Sequence, residues 1–462
     1  MNRIQLFALH SPYGLMGTAA AIDAGLLGDQ GEGEQGEGEQ RILVPMNTAK
    51  VPETATDIGT APRFASLRAR FGRVEPLNPL VDPHHPTAWQ PDEQDLPMLE
   101  RLLRRAWGLG DAQIDLFVQS PQVAPARTLM ALFRDARLNV VGDGLMTYAP
   151  IRSRLPRQLT ERVDRVVHAD VLPGVAPLVF AESGAVRVPV PAPAFGAALR
   201  EAGDAEPDAS LEALAADGAP PTALVIGQYL AALGLVSPAE ETAMQAAMID
   251  RAAEAGAQRV VFKPHPSAPP ALTAALAGRA AAHAIDFAVL TGDLPAEYVA
   301  HRLAATDVIA GFSTALPTVR ALFGTRVHAV GTETVLARLT PYENSNRMPA
   351  TIIDAMTRAE HADPERMQSL VDTVGYAMQP EILTHLRQRA VEHLGALSRT
   401  ERERYVPPAR LRALGLPGAP APTRLQRLTD PAGGVGRLEE LRLTAAGAKR
   451  RAVRVWKAAS GR

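Results

Sequence analysis

The chain has no cysteine among its 462 residues, which removes disulfides, thiolate zinc sites and a cysteine nucleophile. It holds no run of about 18 apolar residues of the kind a membrane helix needs. The opening MNRIQLFALHSPYG is too short and too interrupted for a signal peptide. Together these absences set the expectation of a cytoplasmic protein. The formal net charge is only −2, so nothing argues for a general nucleic-acid binder. Three chemical signatures are missing as well. No Asp-x-Asp pair occurs, no glycine-rich Walker loop, and no His-Glu-x-x-His helix. No metal and no cofactor is therefore expected.

What is present is a soluble globular composition, 46% hydrophobic and 21% charged, in a chain too long for one ordinary core. Short apolar runs alternate with segments of helical spacing. Ile4–Leu9, Ile42–Pro45, Val74–Leu77, Ile114–Val118 and Leu138–Val141 read as strands. Leu15–Leu27, Ala61–Phe71, Leu96–Trp107 and Ala124–Arg134 read as the helices between them. A Pro- and Ala-rich passage from Val188 to Pro221, with PVPAPAF and DGAPP, reads as a linker. Alternation then resumes, with strands at Ala223–Ile226, Arg259–Phe262, Phe287–Leu290 and Val308–Ala310, and helices around Pro238–Ala255 and Pro270–Ala282. This pattern predicts an α/β chain of two doubly wound, mostly parallel halves facing across a cleft, plus a C-terminal helical tail.

The expected divisions are a first domain over 1–195, a linker over 196–221, a second domain over 222–400 and an extension over 401–462. Within the first, GDQGEGEQGEGEQ at 28–40 cannot bury a core and is expected to be a disordered loop. The end of the chain carries six basic residues from Lys449 onward, no acidic ones, and Trp456. Such a tail suits either solvent or an anionic membrane surface.

Three stretches stand at strand exits, where open sheets of this kind bind ligands. VVGDGLMTY (140–148) places Asp143 between two glycines. VVFKPHPSAPP (260–270) ends a strand on Lys263 and aims His265 on a turn stiffened by Pro264 and Pro266. IAGFSTAL (309–316) closes a strand at Gly311 and opens a helix at Ser313 and Thr314, a ready phosphate cradle. Separately these are a turn, a bend and a cap. Together they suit glycosyl transfer from a nucleotide donor. A carboxylate takes the acceptor proton, while a histidine and a helix N-terminus hold the departing phosphate.

In order, VVGDGLMTY, LVIGQYL (224–230), VVFKPHPSAPP and GFSTALPTVRALFG resemble the bacterial sialyltransferases, most closely the α-2,8-polysialyltransferase family. The resemblance covers roughly residues 1–360. It implies a GT-B fold, two Rossmann-like domains with a CMP-sialic acid donor in the cleft, and inverting transfer to a glycan acceptor without a metal. It further implies Asp143 as general base, His265 as general acid or phosphate stabiliser, and Ser313 and Thr314 as phosphate ligands. Lys263, Pro266 and Gly311 complete the donor side, with Glu297 in LPAEYVAHRL as the carboxylate for the cytidine ribose. One position departs from the family: its first acid is Gly142 here.

Two other readings fit parts of the sequence. A CDP-glycerol or CDP-ribitol phosphate transferase of teichoic-acid type also uses a His-Pro turn. A non-catalytic polysaccharide-assembly protein would keep the nucleotide cleft and lose turnover. Asp82-Pro83-His84-His85 has metal-like composition without a third ligand, and Tyr342, Asn344 and Asn346 fit either side of the cleft or a polar loop.

Overall fold

A computed structural model describes residues 3–28, 40–49, 56–216, 218–228, 230–232, 234–264, 271–358 and 363–419. Most of the Gln-Gly-Glu loop, the His265-Pro266 turn and the basic tail at 449–462 lie outside the described residues.

Among the described residues, twelve strands form two parallel sheets. β1 (Arg3–Leu9), β2 (Gln40–Pro45), β3 (Arg73–Val74), β4 (Gln113–Gln119), β5 (Arg137–Val141), β6 (Val163–Ala169) and β7 (Val186–Val190) make the first. Its order is β3-β2-β1-β4-β5-β6-β7. β8 (Thr222–Ile226), β9 (Arg259–Lys263), β10 (Asp286–Val289), β11 (Asp307–Ala310) and β12 (Arg326–Ala329) make the second, in the order β10-β9-β8-β11-β12. In both sheets the chain starts near the middle, winds outward, then crosses to the other side. Such a reversal leaves a crevice beyond the carboxyl ends of the central strands. The fold is thus α/β, doubly wound twice.

The central strands are apolar on both faces because helices cover both. Leu6, Phe7, Ala8 and Leu9 of β1 are fully buried, as are Ala223, Leu224 and Val225 of β8. Phe7 stacks on Phe117 of β4 with ring centroids 4.4 Å apart. Helix starts follow ordinary capping chemistry: Ser11 accepts from Gly14 N, and Ser237 with Glu240 forms a reciprocal capping box.

Several expectations need correcting. Val188–Pro221 is not an unstructured linker. It finishes β7 and then forms helices at Ala192–Asp204 and Ala209–Leu214. The prolines of PVPAPAF sit at the strand end and in the first helical turn, where no N–H is needed. Phe195, Ala198, Leu199 and Ala202 recur at helical spacing and are buried. Ala61–Phe71 yields only a short 3-10 turn at Pro62–Phe64 and one α turn at Ala65–Arg68. The strand expected over 74–77 shrinks to Arg73–Val74.

After the second sheet the chain returns to the first. Helices at Arg347–Met356 and Pro364–Met378 run beside it, with Leu178 seated against Gly375 and Gln368 Oε1 accepting from Ala176 N at 2.6 Å. The helix at Ala192–Asp204 touches both halves: Tyr13 of the first half packs on Phe195 at 4.9 Å, and Tyr298 of the second donates to Asp204 at 2.7 Å. Among the described residues no helix is long and apolar enough to cross a membrane.

Candidate active site

Asp143 lies two residues past the end of β5 and is held by two neighbours. Its backbone N–H donates to Thr147 Oγ1 at 2.8 Å, and its Oδ1 accepts from Gln119 Nε2 at 3.1 Å. Gln119, the last residue of β4, is 0% exposed and carries four hydrogen bonds. Its Oε1 accepts from the backbone N–H groups of His10 and Ser11, at 3.1 and 3.2 Å. Its Nε2 donates to Ser11 Oγ at 2.6 Å as well as to Asp143. Two backbone donors on one side fix which end of the amide is oxygen, so the nitrogen must face the carboxylate. Gly14 makes this possible, since a Cβ there would stand 2.5 Å from Gln119 Oε1.

His10 completes the group. Its Nε2 pairs with Ser120 Oγ at 2.9 Å, and burial lowers its pKa against the opposing pull of Asp143. Ser120 adopts φ 55, a left-handed backbone that costs a non-glycine residue about 1–3 kcal/mol. Such strain is typical of residues placed for a task. Neither Gln119 nor His10 stands out in the sequence, since nothing local marks them as partners of Asp143.

The turn that carries Asp143 meets the second half of the molecule. Gly144 has φ 53, and a Cβ on it would lie 2.5 Å from Thr314 Cγ2. Glycine is therefore required twice over, for the backbone angle and for the close approach. Thr314 and Ser313 open the helix at Ala315–Phe323, with Ser313 Oγ accepting from Ala315 N at 3.3 Å. Gly311, expected on the donor side, makes room for Gln228, whose Oε1 accepts from Phe312 N at 2.9 Å. The GQY stretch after β8 thus shapes the GFST turn after β11.

Lys263 and Glu297 lie within electrostatic reach of each other. Lys263, the last residue of β9, donates from Nζ to Gly292 O at 2.8 Å. Burial lowers its pKa, opposed by the charges of Asp293, Glu297 and Asp208. Glu297, half-buried in the helix at Ala296–Arg302, has its pKa raised by burial, against its own backbone N–H and Lys263. Tyr13 bridges the two halves electrostatically. Burial pushes its hydroxyl pKa up, and the nearby carboxylates of Glu297 and Asp143 add to the rise. Of the expected residues, the Asp143 turn thus meets Thr314, and Lys263 and Glu297 influence each other electrostatically. His265 and Pro266 lie outside the described residues.

Gly142 has its own explanation. A Cβ there would stand 2.8 Å from Thr147 Oγ1 and 3.1 Å from His168 Cβ. The hydroxyl that holds Asp143 occupies the space a first acid would take. Two further expectations resolve. Both ring nitrogens of His85 are engaged within its own region, by Thr87 and by Ala49 O at 2.8 and 2.9 Å. Tyr342 is clamped between Arg347 and Arg410, 4.1 and 5.3 Å from the ring, and donates to Tyr405 O, so its role is structural. Its neighbour Ser345 does reach the crevice, lining a cavity beside Asp143.

The sequence model of the family described as Alpha-2,8-polysialyltransferase (POLYST) matches residues 5–332. No curated protein matches the chain. Among solved structures, the GT-B domain of a sialyltransferase from Photobacterium damselae aligns with a TM-score of 0.42 and 10% identity, covering 77% of this chain and 96% of that one. A putative UDP-N-acetylglucosamine 2-epimerase from Listeria monocytogenes aligns with a TM-score of 0.42 and 13% identity, over 84% and 91%. MurG from Acinetobacter baumannii aligns with a TM-score of 0.35 and 9% identity, over 84% and 98%.

Proposed function

The chain belongs to the alpha-2,8-polysialyltransferase family, a group of glycosyltransferases, and from that premise we propose that it transfers sialic acid, or a related nine-carbon acid, from a CMP-linked donor to a glycan acceptor. The observation that carries this reading is the meeting of the Asp143 turn with Thr314, which puts a carboxylate beside a helix N-terminus. A base for the acceptor and a cradle for the leaving phosphate then serve one bond.

In the proposed step Asp143 Oδ2 takes the proton of the acceptor hydroxyl. That oxygen attacks the anomeric carbon of the donor from the face opposite the phosphate. A new C–O bond forms, the bond to the phosphate oxygen breaks, and CMP leaves with the electron pair. Attack from the opposite face inverts the anomeric centre. Ser313 and Thr314, at the N-terminus of the helix at Ala315–Phe323, receive the phosphate, with Lys263 near. His265 protonates or pairs with it, and Glu297 holds the ribose.

Metal independence is part of the proposal and rests on the missing Asp-x-Asp and on the donor's own carboxylate beside the reacting carbon. A role in surface polysaccharide synthesis, and peripheral contact with an anionic membrane through residues 449–462, complete the reading. The family placement disfavours the teichoic-acid and non-catalytic alternatives.

The test is transfer from CMP-sialic acid to a panel of glycan acceptors in the presence of EDTA. Wild type should form product with CMP release, and Asp143→Asn should lose about 10²–10⁴-fold in kcat, the usual worth of a general base. Full activity in the variant, or activity abolished by EDTA and restored by a divalent ion, would contradict the mechanism.

A further inference from the structure

At the amino ends of the first sheet's strands, opposite the end that carries Asp143, polar residues interrupt the apolar pattern. Gln5 of β1, Asp115 of β4 and Asn139 of β5 are 2%, 8% and 1% exposed, among neighbours such as Leu6, Leu116 and Leu138. The register sets them side by side. Gln5 stands against Asp115 and Asp115 against Arg137, while Asn139 stands between Phe117 and Arg165. Positions two apart on a strand share a face, so Arg3 joins Gln5 there. Together with the chain at Leu26–Gly28, these residues line a cavity of about 330 Å³.

Three arginines and one aspartate line it, a surplus of two positive charges. The arginines are loosely neutralised. Arg3 and Arg137 stand 4.0 and 3.4 Å from Asp115, and Arg137 and Arg165 stand 3.6 and 3.3 Å from Asp164, which lies outside the lining in solvent reach. Among the described residues none of these three guanidinium groups makes a hydrogen bond. Asn139 is a second, independent sign. Its side-chain amide has no hydrogen-bond partner among the described residues, although the residue is buried and lines the cavity. Gln5 shows the contrast: its Nε2 donates to Leu27 O at 2.9 Å, and its Oε1 accepts from Arg41 Nε at 3.0 Å. A buried amide left unpaired is costly, which points to a partner that the chain itself does not supply. A neighbouring cavity shares Arg3, Asp115 and Arg137 but sets Asp111 and Asp135 against Arg104, so its charges cancel.

We propose that the cavity at Asn139 is a second anion site, separate from the donor cleft, and that it binds a phosphomonoester with a small polar body. A phosphomonoester carries about −1.5 to −2 charges at neutral pH, which matches the surplus better than a monocarboxylate does. Guanidinium forks suit pairs of phosphate oxygens. The volume is at the lower end of small-molecule sites, so a short polyol accompanies the phosphate and meets Asn139, whose amide both gives and accepts hydrogen bonds. None of the lining residues belongs to the donor side or to the group around Asp143, so the inference stands apart from the reading above.

Calorimetric titration of the full chain with inorganic phosphate and with glycerol 3-phosphate tests it, with acetate as the single-charge control. Both phosphates should bind saturably, glycerol 3-phosphate the more tightly, and acetate about tenfold or more below them. Arg165→Gln, at the partly exposed rim, should weaken both phosphates by about tenfold. Asn139→Leu, close in volume, should erase the advantage of glycerol 3-phosphate and leave inorganic phosphate bound. Ser313→Ala should leave both affinities unchanged. Acetate binding as well as phosphate, no saturable phosphate binding, or a phosphate affinity that follows Ser313 and not Arg165 would overturn the proposal. Residues 29–39, which follow Gly28 in the chain, include five acidic side chains. Phosphate binding that emerges only when these are changed to amides would overturn it too, because carboxylates of this chain would then be the occupant.

Discussion

Gln119 decides what Asp143 can do, and it does so with one amide. Its oxygen is committed to two backbone N–H groups and its nitrogen to Ser11 and Asp143. Gln119→Glu keeps the shape and the acceptor for His10 and Ser11. It replaces the donor facing Asp143 by an oxygen, so two carboxylates confront each other. The expected result is a folded enzyme with CMP affinity near wild type and kcat down by about tenfold or more. An unchanged kcat would show that the amide does not set the base. His168, next door, supplies a pH signature. Buried within β6, it has its pKa lowered from 6.5 to about 4, chiefly by desolvation. The unfolded chain therefore binds a proton between pH 6.5 and 4 that the native state refuses. Stability from this group is whole above pH 6.5 and is lost as pH falls toward 4, on the order of 3 kcal/mol in all. Thermal midpoints measured across that window should fall, and His168→Gln should flatten the slope. A slope unaltered by the substitution would argue that His168 is charged in the native state.

At the scale of elements, the C-terminal helices are anchored by a buried carboxylate. Asp354, 3% exposed in the helix at Arg347–Met356, accepts from Arg404 Nε and Nη2 at 2.6 Å each, from Tyr405 at 2.8 Å and from Thr332 at 3.1 Å. Those partners join the helix at Arg399–Tyr405 to the segment after β12. Asp354→Ala should cost about 3–5 kcal/mol, the usual penalty for orphaning a buried ion-pair partner. Proteolysis should then begin in the segment after Leu397, with the two sheets still protected. Loss of less than about 1 kcal/mol would mean that packing alone, through Tyr405 and Val406, holds this segment. The sequence did not announce this anchor. Asp354 sits in an apolar helix among Ile352 and Ile353, and Arg404 in a run of charges that resembles a solvated face. Only tertiary contact makes the pair.

For the whole molecule, what was legible was whatever depends on nearest neighbours. β1, β4, β5, β8 and β9 were visible because Val, Ile, Leu and Phe run together in strands covered on both faces. The GDG and GFST turns were visible because glycine and hydroxyl residues mark strand exits. β6 was not, because VDRVVHA mixes Asp164, Arg165 and His168 into its apolar residues. β7 and the helix after it were hidden by prolines that here sit at element boundaries. Within the site, Asp143, Ser313 and Thr314 could be chosen from the sequence. Gln119 could not, since its partners lie 24 and 108 residues away. Gly142 changes meaning at this scale too. In the sequence it is a missing acid, and in the fold it is the space filled by Thr147 and His168.

The central claim is that this crevice holds a cytidine monophosphate donor between the two halves. Calorimetric titration with CMP and CMP-sialic acid tests it most directly, with UDP, GDP and CDP-glycerol as controls, on wild type, Ser313→Ala and His265→Ala. The account predicts selective binding of the CMP ligands, weakened about tenfold by each substitution as a charge-assisted phosphate contact is lost. Absence of cytidine nucleotide binding, or a preference for CDP-glycerol, would contradict it.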